Sequence, residues 1–139
     1  MAKKLKITLH YMKHSSLKPE DFLHFIELTP FTKRWEQLGL DAELDLTALQ
    51  LSIMAGPKAG PVIKGTRGLR KLRFSPPTWK VGKRGATRVL YVYFDEFFIC
   101  LLCFVYGKGE LDTISEATKA QLNQVIGEIA NELRRIYKE

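Results

Sequence analysis

Between Asp45 and Asp95 the chain carries no carboxylate, although 15 aspartates and glutamates occur among its 139 residues. The gap is filled instead with cations: Lys58, Lys64, Arg67, Arg70, Lys71, Arg73, Lys80, Lys83, Arg84 and Arg88. Without acids nearby, these charges cannot neutralise one another locally, so they set up a positive field whose natural partner is a polyanion. The alternative is a basic surface that only aids solubility. The whole chain points the same way, with a net charge of +7 and a pI near 9.5.

Other absences narrow the function further. Cysteine is scarce: Cys100 and Cys103 form a single C-x-x-C inside the apolar run FFICLLCFVY. Residues three apart on a strand point to opposite faces, so the two thiols cannot converge on a metal or on each other. No second ligand pair accompanies them, which argues against a zinc site. His10, His14 and His24 match no metal-binding spacing. Asp95, Glu96, Glu110 and Asp112 fall at strand ends and turns, where solvated carboxylates are expected, so no metal or other cofactor is read. The phosphate-cradling G-x-x-x-x-G-K-[ST] pattern is missing. The longest apolar run, Phe97 to Tyr106, falls well short of the roughly 18 residues of a membrane span. The start, MAKKLKITLHYMKH, lacks the apolar stretch of a signal peptide, so the expected location is cytoplasmic, with no membrane partner.

What is present suits one domain. Hydrophobic residues make up 45% of the chain, enough for one core. Residues 1–24 read as an N-terminal extension of uncertain structure, with a weak strand alternation at Leu5, Ile7 and Leu9. Residues 25–139 read as a single domain. A short strand at Phe25–Leu28 leads to Thr29-Pro30, an N-cap and first helical residue. Phe31, Trp35 and Leu38 share a helix face that ends at Gly39; Trp35 is either a core anchor or a ligand platform. Asp41 caps a second helix, with Leu44, Ala48, Leu51 and Ala55 on its apolar face and Gly56-Pro57 ending it. Residues 57–68 read as a crossover wrapping the surface. Strands follow at Leu69–Phe74, Thr87–Phe94 and Phe97–Tyr106, the last two joined by a turn at Asp95-Glu96. The last strand is apolar throughout and so is expected at the centre of the sheet, covered on both faces. A C-terminal helix begins near Thr113 or Ser115, with a capping box at Thr113 and Glu116. Its stripe is Leu122, Val125, Ile126, Ile129, Leu133 and Ile136. The expected class is α+β, with helices packed on a small antiparallel sheet.

Strand alternation puts Lys71 and Arg73 on one face and Arg70, Leu72 and Phe74 on the other. The loop from Ser75 to Ala86 holds Trp79, Lys80, Lys83 and Arg84. Cations there bind phosphate, while the indole either stacks on a base or pins the loop down.

Three motifs together carry a resemblance: G-L-R-K-L-R at residues 68–73, G-K-R-G-A-T-R-V-L-Y at residues 82–91, and an apolar strand ending in Tyr106-Gly107-Lys108. With FIELTPFTK at residues 25–33, the chain resembles the RelE/HigB group of bacterial type II toxins, over about residues 25–125. The resemblance implies a small antiparallel sheet carrying two N-terminal helices, and a ribosome-dependent mRNA endonuclease. Such toxins cut message in the ribosomal A site without a metal, through attack of a 2′-hydroxyl on the adjacent phosphate. It also implies a cognate antitoxin, of helix-turn-helix type. Matched by position, Arg73 and Arg88 stabilise the phosphate, while Lys71 or Lys108 assists proton transfer. Arg70, Trp79, Lys80, Lys83, Arg84 and Tyr91 become RNA-contact candidates. The chain departs from the family at Thr113-Ile114-Ser115, where some relatives have a tyrosine, and at Gly109, where a side-chain amide is common. Tyr91, Tyr93 and Tyr106 remain open as substitutes. Two other readings stay open: a gyrase-binding toxin of ParE type, and a non-catalytic RNA-binding module.

Overall fold

The computed structural model describes residues 23–79, 85–110 and 115–138. In chain order the elements are β1 (His24–Glu27), α1 (Thr29–Gln37), α2 (Leu44–Ala55), β2 (Arg70–Phe74), β3 (Thr87–Phe94), β4 (Ile99–Gly107) and α3 (Glu116–Lys138). The class is α+β, and the element order is the one read from the sequence. Most of the extension lies outside the described residues, but its last residue, His24, opens β1.

The four strands form one sheet in the order β1-β4-β3-β2. Strands β2, β3 and β4 are antiparallel neighbours, whereas β1 pairs parallel with β4. The sheet is therefore mixed rather than wholly antiparallel. The reason is connectivity: β1 runs directly into α1, and the chain reaches β4 only after two helices and two strands, the long crossover that parallel pairing requires. The turn between β3 and β4 is longer than Asp95-Glu96. It runs to Phe98, whose φ of 55° is uncommon for an aromatic residue, and β4 begins at Ile99.

Helices cover both faces. On one, Phe31 and Trp35 of α1 and Leu49 and Ile53 of α2 pack over Phe74, Val89, Tyr91, Cys100, Leu102 and Val105. On the other, Leu122 and Ile126 of α3 pack over Leu69, Leu90, Val92, Leu101, Cys103 and Tyr106. Leu133 closes the far end against Phe97 and Ile99. Strand β4 is central, as its unbroken apolar sequence implies. Trp35 is a core anchor: its ring stacks between Phe31 and Phe74, and its indole N–H donates to the Asp41 carbonyl at 3.1 Å.

Several local details differ from the sequence reading. Helix α2 turns Asp45, Leu49 and Ile53 inward, leaving Leu44 67% and Leu51 59% exposed. Its sequence, LDLTALQLSIMA, is apolar on nearly every side, so periodicity offers no contrast. What fixes its rotation is a polar contact. The buried Asp45 carboxylate accepts from the Asp41 N–H (2.8 Å), the Thr78 N–H (3.1 Å) and the Thr78 hydroxyl (2.6 Å). Asp41 does act at the start of α2, accepting from the N–H groups of Glu43 and Leu44. Leu28, not Thr29, occupies the N-cap of α1. Ser115 caps α3 through its hydroxyl, which accepts from the Thr118 N–H at 3.1 Å. Thr113, the other cap candidate, lies outside the described residues. Ile136 is 51% exposed, while Tyr137 packs on Phe97 with ring centroids 5.8 Å apart.

The segment 57–68 does more than wrap the surface. Ile63 donates to the Leu69 carbonyl at 2.7 Å and Lys71 to the Pro61 carbonyl at 3.1 Å, so the segment folds back along the outer edge of β2. Asn123 of α3 ties it down, donating to the Gly65 carbonyl (3.0 Å) and accepting from the Arg67 N–H (2.9 Å). No helix among the described residues is long and apolar enough to cross a membrane.

Candidate nucleic-acid interface

Register brings the key cations together. Across β2 and β3, Arg73 lies directly opposite Arg88, and across β3 and β4, Arg88 lies opposite Tyr106. The next row on this face is Lys71, Leu90 and Phe104. This is the α3 face, since Leu90 and Tyr106 belong to the α3-side core. Opposed side chains in an antiparallel pair have Cβ atoms about 4.5–5.5 Å apart, and like charges placed so are destabilising.

Among the described residues no acid relieves that repulsion: Lys71, Arg73 and Arg88 form no ion pair there. Arg88 donates one of its guanidinium N–H groups to the Ala86 carbonyl at 2.7 Å, which aims the fork while leaving its other donors unspent. Lys108 is exposed on the turn after β4, its stem lying close to Gly85, just ahead of β3. That turn is clamped by Glu110, which accepts from the Gly107 N–H and pairs with Arg34 of α1. The Gly107 hydrogen bond is the main cause that holds the Glu110 carboxyl below its ordinary range; burial opposes it, and the Arg34 contact adds to the lowering.

The other sequence candidates are placed differently. Arg70 belongs to the opposite face, opposed to Tyr91. Its guanidinium donates to the carbonyls of Lys58 (2.9 Å) and Gly60 (2.7 Å), so it fastens the segment before β2. Tyr91 is fully buried and donates its hydroxyl to the Pro57 carbonyl at 2.8 Å; burial raises its pKa. Neither can meet an RNA laid on the Arg73–Arg88 row. Trp79 is half-buried against the α1–α2 core, which favours the loop-pinning role. Lys80, Lys83 and Arg84 lie outside the described residues. One cation of the acid-free stretch does find an acid, since Lys58 pairs with Asp95 at 3.1 Å.

Cys100 and Cys103 lie in opposite cores, as strand parity requires, and both are free thiols. Burial pushes Cys103 up to about 12 and Cys100 higher, so neither offers a thiolate nucleophile. Among the described residues no three of His, Cys, Asp and Glu are grouped to hold a metal ion. An open cleft of ≈ 540 Å³ lies between the β1–α1 junction and α3, lined by residues such as Leu28, Pro30 and Val125, with no Lys or Arg among the described residues that line it. It flanks the β1 edge, about 14 Å from β2 by strand spacing, and is separate from the cationic rows.

Sequence reasoning missed Phe104, which shares the cationic face with Tyr106, one of the three tyrosines the sequence left open; the ring centroids are 6.2 Å apart, with Tyr106 buried and Phe104 half-buried. Asp45 also went unnoticed as the buried polar anchor of α2. A search of known protein-family models finds no match to the chain.

Proposed function

We propose that this protein is the toxin of a type II toxin–antitoxin pair of the RelE/HigB kind, a cytoplasmic endonuclease that cuts mRNA in the ribosomal A site. The observation that carries the reading is the Arg73–Arg88 pair: two guanidinium groups opposed across neighbouring strands, neither paired with an acid among the described residues. The arrangement costs stability in the free protein, and that cost is removed when a phosphate sits between the forks.

The same geometry suits cleavage by the RNA's own 2′-hydroxyl. In that reaction a bond forms between the 2′-oxygen and phosphorus while the bond from phosphorus to the 5′-oxygen breaks. The 2′-hydroxyl loses its proton and the departing 5′-oxygen gains one, leaving a cyclic phosphate and a free 5′-hydroxyl. Between these states the phosphorane carries extra negative charge, which two preorganised guanidinium groups stabilise. Lys71, one row along, and Lys108, at the end of β4, are the candidates for moving protons. Strands and a clamped turn carry all four side chains, so little reorganisation is needed during reaction. A cognate antitoxin, of helix-turn-helix type, is the expected inhibitor.

Primer extension on message from induced cells, wild type beside Arg88→Ala, tests the reading. The expected result is breaks within translated codons that vanish in the variant. Growth arrest with intact message would instead indicate a gyrase-type toxin, and normal growth with intact message a binding module.

A further inference from the structure

Strand β4 does not alternate evenly. Its pairing with β3 shifts between Leu90 and Tyr91: Leu90 opposes Phe104, whereas Tyr91 opposes Leu102. Cys103 is left over, the extra residue of a β-bulge. The effect on side-chain direction is large. Counting by strict alternation from Cys100 and Leu102, which face α1 and α2, Phe104 and Tyr106 belong on that face as well. The bulge reverses the parity. Cys103, Phe104 and Tyr106 all lie on the α3 side, and Val105 turns inward towards α1 and α2. Phe104 thus joins the row of Lys71 and becomes a diagonal neighbour of Arg88, a separation that aromatic and long side chains bridge. Tyr106 is buried and supports the Phe104 ring from beside it.

We propose that Phe104 is the platform on which an unpaired base stacks when RNA phosphates lie between Arg73 and Arg88, and that the bulge at Cys103 serves to bring its ring onto the cationic face. The proposal rests on the RNA-binding reading above and adds to it the requirement that the base be unpaired, because a duplex hides its base faces. Neither aromatic residue named from the sequence as an RNA contact can do this: Tyr91 is fully buried, and Trp79 packs against the core on the opposite side of the sheet. A bulge beside a functional site commonly re-aims a side chain in this manner.

The test is fluorescence anisotropy with the full chain and a labelled single-stranded RNA of about ten nucleotides. A second probe has the same backbone but abasic riboses. Wild-type protein should prefer the base-bearing strand by about tenfold. Phe104→Leu, which retains an apolar side chain of similar reach, should lose that preference while binding the abasic strand as wild type does. Phe104→Tyr should retain it. Arg73→Ala should weaken both probes alike and reduce the dependence on salt. Equal wild-type affinity for the two probes overturns the stacking role whatever the variants do, as does a Phe104→Leu protein that keeps the preference or weakens on both probes equally. If salt-dependent binding is seen but the base preference is not, only the stacking role fails. If wild type binds neither strand, the RNA reading fails with it.

Discussion

Arg70 and Arg73 lie three residues apart on one strand, yet they inhabit different worlds. Arg70 faces the α1–α2 side, where its guanidinium is spent on two backbone carbonyls and the neighbouring Tyr91 hydroxyl on a third. Arg73 faces the α3 side, opposite another arginine, without an acid partner among the described residues. The first face is closed and its polar groups are satisfied: the Asp45 carboxylate alone receives three hydrogen bonds. The second is closed by α3 over part of its area and holds an unrelieved row of cations beyond it. A cation is thus structural or available for a ligand according to the face on which strand parity puts it.

The sharpest way to break this comparison is Arg88→Ala. Cleavage should fall by about 2–4 kcal/mol of transition-state stabilisation. The melting temperature should stay level or rise slightly, because the opposed Arg73 loses a repulsive neighbour. A parallel loss of stability and activity would mean that Arg88 is merely structural.

Asp45→Ala probes the closed face. It leaves three donors without their acceptor, and about 3 kcal/mol of stability should be lost in chemical denaturation. Cleavage per folded molecule should hold.

Arg70→Ala should cost about 2 kcal/mol by freeing the Lys58 and Gly60 carbonyls. Gly60→Ala should act at the same place with a cost of about 1–3 kcal/mol, since a Cβ there would sit 2.9 Å from the Lys71 carbonyl oxygen and 3.0 Å from the Tyr91 hydroxyl. Retained RNA affinity in both variants would sharpen the division between faces; a weakened affinity would blur it.

The smallest effect concerns Glu110. Its pKa is lowered in the folded state, so it binds its proton less readily there than in the unfolded chain. Its stabilisation is therefore present above the ordinary glutamate range and is lost as pH falls through the lowered folded value. Acid melts of wild type and Glu110→Gln should converge once the pH has fallen below the lowered folded value. The difference at neutral pH should be slight, because the Arg34–Glu110 pair is partly exposed.

Much of the architecture was legible in the chain. The acid-free stretch, the unbroken apolar run of β4 and the Gly39 and Gly56 stops gave the element order and the central strand. Alternation along β2 correctly separated Arg70 from Lys71 and Arg73. The rotation of α2 was not legible, because a helix apolar all round has no preferred face until a buried carboxylate finds its donors. The parallel edge was not legible either, since the residues of β1 carry no mark of strand direction.

The sequence by itself determined the positive charge of the stretch and the strand on which each cation stands, because composition and period-two alternation are local properties. Only the tertiary structure decided which cations oppose one another and which aromatic ring joins them. Register is set between strands, and one extra residue at Cys103 reverses the facing of everything that follows it in β4.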